Sequence, residues 1–536
     1  MLQDIAERPP QPRRRTPSFY FVLLCLILPV WSAVPLSWLF VFHTLSYGQA
    51  WSFTWPGTIL FAIALCEVFF SIYHYNLAIR ISAPSPVPPG ELLEIQAAFR
   101  RLLRTGLANL PENGDDRESE RLGSPGEKII QLERDDPRAI DFRNSLRTWF
   151  CKAPWSSIKL HQVRQWLYWS IFNAHLPPLE HISHSHRVIL DEALNLLEKR
   201  SGYQFEEGSN PAVPPILLTL DEVNIIWRPL TFYTTIWSID FFLRMWYKCQ
   251  WNVRFGSQDG LEYLIRVPKK WDRAAGPRPI VFLHGLGLGL LQYSLLIKHL
   301  LESFPHHPLL VPLPPQISQN IFHPNFLKPL TRRQTTDRLA RLLHEFGWVH
   351  CTPYAHGDIS ENSGDEFSVS LPGQKEMGIT VISHSNGSYT HAWMLKEYPQ
   401  IIGRSCFVDP VTFCSWEGDV CYNFIYRPCR TGIELLMRYF VCTELGVANL
   451  LQRHFDWASN SLWFEEIPKA RDPSKAVFVL GGKDDIVCAE RVKRYLTSHG
   501  VRKGLWYDPN GRHGQALMTG SAGHLEIIQW LREAES

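Results

Sequence analysis

The chain opens on two long apolar runs. Phe19 to Phe42 holds 24 residues without a charge. As a helix it rises about 36 Å, against a hydrocarbon core of roughly 30 Å. Trp55 to Tyr75 is a second run, interrupted only by Glu67. The pattern predicts a transmembrane helical hairpin, with spans at about 19–42 and 55–75. Pro29 and Pro35 are expected to kink the first span, which membrane helices tolerate. Trp51, Trp55, Tyr73 and Tyr75 stand where interfacial aromatics belong. Glu67 is costly in a span, and reads either as functional or as facing a helix interface. Residues 81–90 (ISAPSPVPPG) form a stiff proline linker. Residues 1–90 therefore read as an N-terminal membrane anchor.

Residues 91–250 carry apolar positions at helical spacing and read as a mostly helical accessory region. Glu91 to Leu110 and Ser183 to Arg200 are amphipathic, and Asn113 to Gly126 is a charged loop. Thr231 to Trp251 is dense in Trp, Tyr and Phe but broken by Asp240, Arg244 and Lys248. It fits a core helix or one lying on a membrane surface equally well.

From Asn252 the period shortens. Asn252 to Phe255 and Leu261 to Val267 read as a strand pair around Ser257-Gln258-Asp259-Gly260. Pro279 to Leu283, Pro308 to Val311 and Gly378 to Ser383 are short apolar runs, as strands buried on both faces require, and Ala476 to Leu480 and Gly504 to Tyr507 read as two further strands. Helical patterns separate them. The alternation predicts an α/β fold with a mostly parallel sheet over residues 251–536. A helical insertion over about 411–468 is aromatic-rich and sits where a cap is expected. His356 to Gln374 is a polar surface loop.

Composition narrows the function. Of 536 residues, Lys+Arg (54) nearly balances Asp+Glu (52), so no basic field for nucleic acid exists. Arg13, Arg14 and Arg15 precede the first run and Arg80 follows the second, which puts both ends of the hairpin in the cytosol. The rival reading, a cleaved signal peptide with those arginines as its n-region, fits less well with a run this long followed at once by another. The 11 cysteines show no CxxC and read as free thiols, including 406, 414, 421, 429 and 442. His181, His184 and His186 lack the partners of a metal pattern. The glycosylation sequon Asn386-Gly387-Ser388 falls in a buried turn, where a glycan does not fit. No metal or organic cofactor is implied.

The chemistry sits at strand ends. The first buried strand runs into His284-Gly285-Leu286-Gly287-Leu288-Gly289. The next runs into Ser383-His384-Ser385-Asn386-Gly387, and a helical pattern follows at once. Strand, sharp turn and helix are the context of a nucleophile elbow, here S-x-S-x-G with Ser383 in place of the first glycine. Two further strands end in Gly481-Gly482-Lys483-Asp484-Asp485-Ile486-Val487 and Gly511-Arg512-His513-Gly514. Ser, Asp and His thus follow strands in that order, as on the α/β-hydrolase sheet.

On these four motifs, roughly the C-terminal half of the chain resembles the α/β-hydrolase superfamily. With its anchor, the chain is similar to membrane-bound hydrolases of filamentous fungi. The resemblance implies Ser385 as nucleophile, His513 as proton carrier and Asp484 as the acid that orients it. The oxyanion-hole donors implied are the backbone N–H groups of Leu286 and Asn386. Asp485, Asp409 (after the strand Phe407-Val408) and His524 are the rivals within the triad. His284 reads as structural, and His384 as a wall of the elbow. The implied activity is a serine esterase or lipase acting on an apolar, lipid-like ester delivered from the bilayer. An acyltransferase using the same triad, or a non-catalytic membrane-tethered scaffold, are the alternatives.

Overall fold

The computed structural model describes residues 5–10, 12–48, 53–84, 90–107, 129–273, 275–349 and 378–533. The charged loop expected at 113–126 and the polar loop at 356–374 lie outside the described residues.

Eight strands form one sheet in the order β1-β2-β4-β3-β5-β6-β7-β8. β1 (Arg254–Gln258) and β2 (Leu261–Arg266) make a hairpin. Its turn is tighter than the four residues expected. Ser257 and Gln258 join the strand, leaving Asp259 and Gly260, both at positive φ, to reverse the chain. β2 also runs antiparallel to β4 (Leu309–Pro312). β3 (Ile280–Leu283), β5 (Ile379–His384), β6 (Ile402–Val408), β7 (Ala476–Gly481) and β8 (Leu505–Asp508) complete a parallel array with β4. Every residue of β3, β4, β5 and β7 is buried, which explains their continuous apolar runs.

Helices cover both faces. Leu290–Ser303 and Ala522–Glu533 pack in the hydrophobic cluster on one side. On the other side, residues of Leu92–Arg104, Leu160–Phe172 and His184–Ser201 share one continuous cluster with the sheet. Indole donors stitch this layer to the β6–β7 segment. Trp149 Nε1 donates to Trp416 O at 2.8 Å, and Trp457 Nε1 to Ser170 O at 2.8 Å. His186 belongs to this packing. It stacks on Phe172 at 3.9 Å between ring centroids and bonds the Tyr168 hydroxyl at 3.2 Å.

The apolar runs at the N-terminus form helices over Pro17–Ser46 and Trp55–Ser82, both long and apolar enough to cross a membrane. Both exceed the ranges expected from sequence. The first continues through Pro35 and takes a π turn over Leu23–Ile27, just before Pro29. Glu67 has a partner. Both its carboxylate oxygens accept the Leu230 N–H, at 2.8 and 2.9 Å, at the start of the helix Leu230–Trp251. A carboxylate at a helix N-terminus satisfies an orphan donor and meets the positive end of the helix dipole. Cys406, Cys414, Cys421, Cys429 and Cys442 are free thiols.

Candidate active site

Ser385 follows β5 directly and adopts φ +50°, an unusual conformation for a residue with a Cβ. The turn is forced by what surrounds it. Gly387 begins the helix Gly387–Glu397, and a Cβ there would lie 2.1 Å from Leu283 O at the end of β3. At Gly285 a Cβ would lie 2.9 Å from Ser385 Cβ. The glycine loop after β3 and the elbow after β5 are therefore in direct contact. Gly387→Ala is expected to cost about 3 kcal/mol or more, because strand and helix must part to admit the methyl group. A thermal melt of the variant checks this.

Ser383, the departure from the usual small residue, is completely buried. Its Oγ lies 2.9 Å from His391 Nδ1, and His391 Nε2 lies 3.1 Å from Ser405 Oγ. His391 also stacks on Phe407 at 4.3 Å, and burial pushes it down to about 3, so it stays neutral. The extra hydroxyl is thus paid for by a sealed serine–histidine–serine chain between strand and helix.

The structure brings Ser385, His513 and Asp484 together. His513 Nε2 is 2.9 Å from Ser385 Oγ, and His513 Nδ1 is 2.6 Å from Asp484 Oδ2. Facing a carboxylate, Nδ1 must carry a proton. In the neutral ring Nε2 is then the acceptor for the serine hydroxyl. Asp484 is itself held, its Oδ1 accepting from Ile486 N–H at 2.7 Å and Val487 N–H at 3.0 Å. Burial disfavours the charged imidazolium, but the Asp484 charge and hydrogen bond, with Asp409 behind them, outweigh it and push His513 up to about 9.

Of the rival residues, Asp485 and His524 are placed elsewhere, and Asp409 lies behind the Asp484–His513 pair. Asp485 lies 3.8 Å from Arg427. His524 Nε2 lies 2.7 Å from His299 Nδ1. Asp409, almost wholly buried at the end of β6, accepts the Gly481 N–H at 2.8 Å and the Gly514 N–H at 2.7 Å. It therefore ties the loop bearing Asp484 to the loop bearing His513. Burial pushes Asp409 up to about 6, against the opposing pull of His513 and the two N–H donors. This role was not visible in the sequence, where Asp409 stood only as an alternative acid. Asp409, Asp484 and His513 bring ligand-type atoms within 4.8 Å of one another. Each already makes the hydrogen bonds just given.

Two further histidines wall the site. Tyr293 Oη accepts the Gly285 N–H at 3.0 Å and donates to His384 Nδ1 at 2.9 Å. Burial, with His513 and His284 nearby, holds His384 well below its ordinary value. It adds no second cation beside His513, whose ring centroid is 5.1 Å away. His284 Nδ1 lies 2.9 Å from Gly285 O, and burial lowers it to about 4. The Leu286 and Asn386 N–H groups, expected to face an oxyanion, donate to no protein acceptor among the described residues.

No family model and no curated protein matches the chain. Among solved structures it is similar to an α/β hydrolase from the sediment metagenome of the Mar Chica lagoon, Morocco. Identity is 15%, covering 53% of this chain and 100% of that one, at a TM-score of 0.31. A putative aryl esterase from Burkholderia cenocepacia matches at 13% identity over 53% of this chain and 99% of its own, TM-score 0.31. A bacterial membrane phospholipase A, described as a virulence factor, matches at 12% over 56% and 92%, TM-score 0.36. The strand order, the parallel array and the elbow after β5 supply the deciding observation. The chain has the α/β-hydrolase fold.

Proposed function

We propose that the protein is a membrane-anchored serine hydrolase that cleaves an ester of an apolar, lipid-like substrate. The observation that carries this reading is the continuous relay from Ser385 Oγ through His513 to Asp484. Ser385 Oγ attacks the ester carbonyl carbon while its proton passes to His513 Nε2. The developing oxyanion takes up the free N–H groups of Leu286 and Asn386. Collapse expels the alcohol, which leaves with the proton from Nε2, and an acyl-Ser385 remains. Water then attacks the acyl carbon, giving its proton to Nε2, and the acid departs as Ser385 recovers that proton. Asp484 stabilises the imidazolium formed in each half-reaction.

An apolar substrate is supported by the two long apolar helices. A small recess against the helix Leu230–Trp251 is lined by apolar and charged side chains alike, Tyr233, Leu290 and Leu313 beside Asp240, Arg244 and Glu262. Leu290 follows directly on the glycine loop, and Ser318, also in the lining, packs against Gly289. In this reading the helices Pro17–Ser46 and Trp55–Ser82 anchor the chain, with the catalytic domain on the cytosolic side.

A fluorophosphonate probe tests the proposal. The wild type is expected to be labelled and to hydrolyse p-nitrophenyl esters, with longer acyl chains preferred over acetate. A properly folded wild type that neither reacts with the probe nor cleaves any of the esters would leave a non-catalytic scaffold. Transfer of the acyl group to added alcohol in preference to water would make it an acyltransferase.

A further inference from the structure

The hairpin and the sheet domain are not separate bodies, and their contact sets how deep the domain sits. Along Phe61 to Ser71 the second long helix packs on the first, with Val68 against Val41 and Trp38 Nε1 donating to Ser71 Oγ at 2.9 Å. From Glu67 onward it also lies along the domain. Glu67 caps the Leu230 helix, Phe70 packs on Tyr233 at 5.6 Å, and Arg453 Nε donates to Ile81 O at 2.9 Å. The first long helix is docked at its opposite end. Thr16 N–H donates to Arg430 O at 3.0 Å, Val22 and Ile27 pack on Tyr439, and Trp31 stacks on Trp227 at 4.9 Å. What projects freely is Trp55–Cys66 beside residues 34–46, about 18–20 Å of helix. A hydrocarbon core is roughly 30 Å thick. The free part alone is too short to cross.

The outer faces of the docked parts remain apolar. Tyr20, Phe21 and Leu24 on the first helix, and Phe69, Tyr73 and Ile79 on the second, are exposed. The helix Leu230–Trp251 carries a further exposed apolar row, Phe241, Phe242, Met245 and Trp246. Two of the charges that interrupt this helix in the sequence, Asp240 and Arg244, are drawn aside from its outer face. Asp240 and Arg244 bond each other at 2.5 Å, and Arg244 reaches Glu262 on β2 at 3.6 Å. Lys248 lies over the Phe255 ring at 5.8 Å. An outward apolar stripe of this size, rimmed by cations, is what an interfacial helix presents to lipid.

We infer that the helix Leu230–Trp251 is a third membrane element, embedded in the cytosolic leaflet, which seats the hydrolase domain in the bilayer and supplies the depth that the hairpin lacks. Glu67 is the pin between this helix and the second span. The inference rests on the anchoring reading given above, and adds that the domain itself is immersed.

The test places an environment-sensitive fluorescent amino acid at one position at a time in the full chain, reconstituted in phosphatidylcholine vesicles. The positions are Leu39 on the projecting hairpin, Phe242 on the Leu230 helix, and Lys503 beside β8, at the opposite edge of the sheet. Phe242 is 69% exposed, so the replacement is tolerated, and fluorophosphonate labelling of each variant reports that the fold is kept. Blue-shifted emission, quenched by lipids brominated along the acyl chain, is expected at 39 and 242 and not at 503. Quenching at 39 with water-like emission at 242 would overturn the inference while leaving the anchor intact. Water-like emission at both would remove the anchor and the inference together.

Discussion

Ser385→Ala is expected to lower kcat for a soluble ester by roughly 10⁴–10⁶, the range seen when a triad nucleophile is removed. The loss is large because the other parts cannot substitute for it. His513 would still bond Asp484, and the Leu286 and Asn386 N–H groups would still face the substrate carbonyl, but no oxygen would stand 2.9 Å from Nε2 to attack. KM should change little, since the hydroxyl is small. Fluorophosphonate labelling should vanish. The backbone remains strained at φ +50° whichever residue occupies the position, and the deleted bond is single, so the fold should survive. The measurement is steady-state kinetics beside a thermal melt. Activity retained in a well-folded Ala variant would sink the mechanism.

The elements of this site were legible because each follows a strand, and the strands before Ser385 and Asp484 are buried on both faces, while His513 follows the half-buried edge strand β8. A strand buried on both faces must be a short continuous apolar run, and what interrupts the run is by construction at the rim of the sheet. Ser385, Asp484 and His513 each occupy such a rim, as does the glycine loop after β3. Long-range pairing was not legible. The Glu67 carboxylate and the Leu230 N–H are 163 positions apart, and nothing local to either residue announces the other. Likewise Asp240 and Arg244 break an apolar pattern when read as a string, yet in three dimensions they pair with each other, and Arg244 also reaches Glu262. The serine in place of the first elbow glycine looked like a weakened motif. His391, one turn into the following helix, is what accommodates it.

Asp484→Asn is expected to cost about 10⁴ in kcat at neutral pH. An amide in that place either presents its oxygen and leaves the imidazolium without a countercharge, or presents its NH2 and drives the ring into the wrong tautomer. The pH profile adds an independent readout. The reaction needs neutral His513, and the ring is held up at about 9, mainly by Asp484 overcoming burial. In the wild type kcat/KM should therefore rise with pH, with an apparent pKa above the ordinary imidazole value. In Asp484→Asn that apparent pKa should fall. Stability carries the same sign. A raised imidazole contributes fully below about 6.5, and its contribution is lost as pH climbs through about 9. Asp409→Asn makes the contrast. Its carboxylate bonds two backbone N–H groups and not the imidazole, and an amide can accept only one of them well. It should lose about 1–3 kcal/mol of stability, with a far smaller loss of rate. If Asp409→Asn instead showed the 10⁴-fold fall and Asp484→Asn remained active, the acid of the relay would be Asp409, and His513 would have to turn toward β6 to use it.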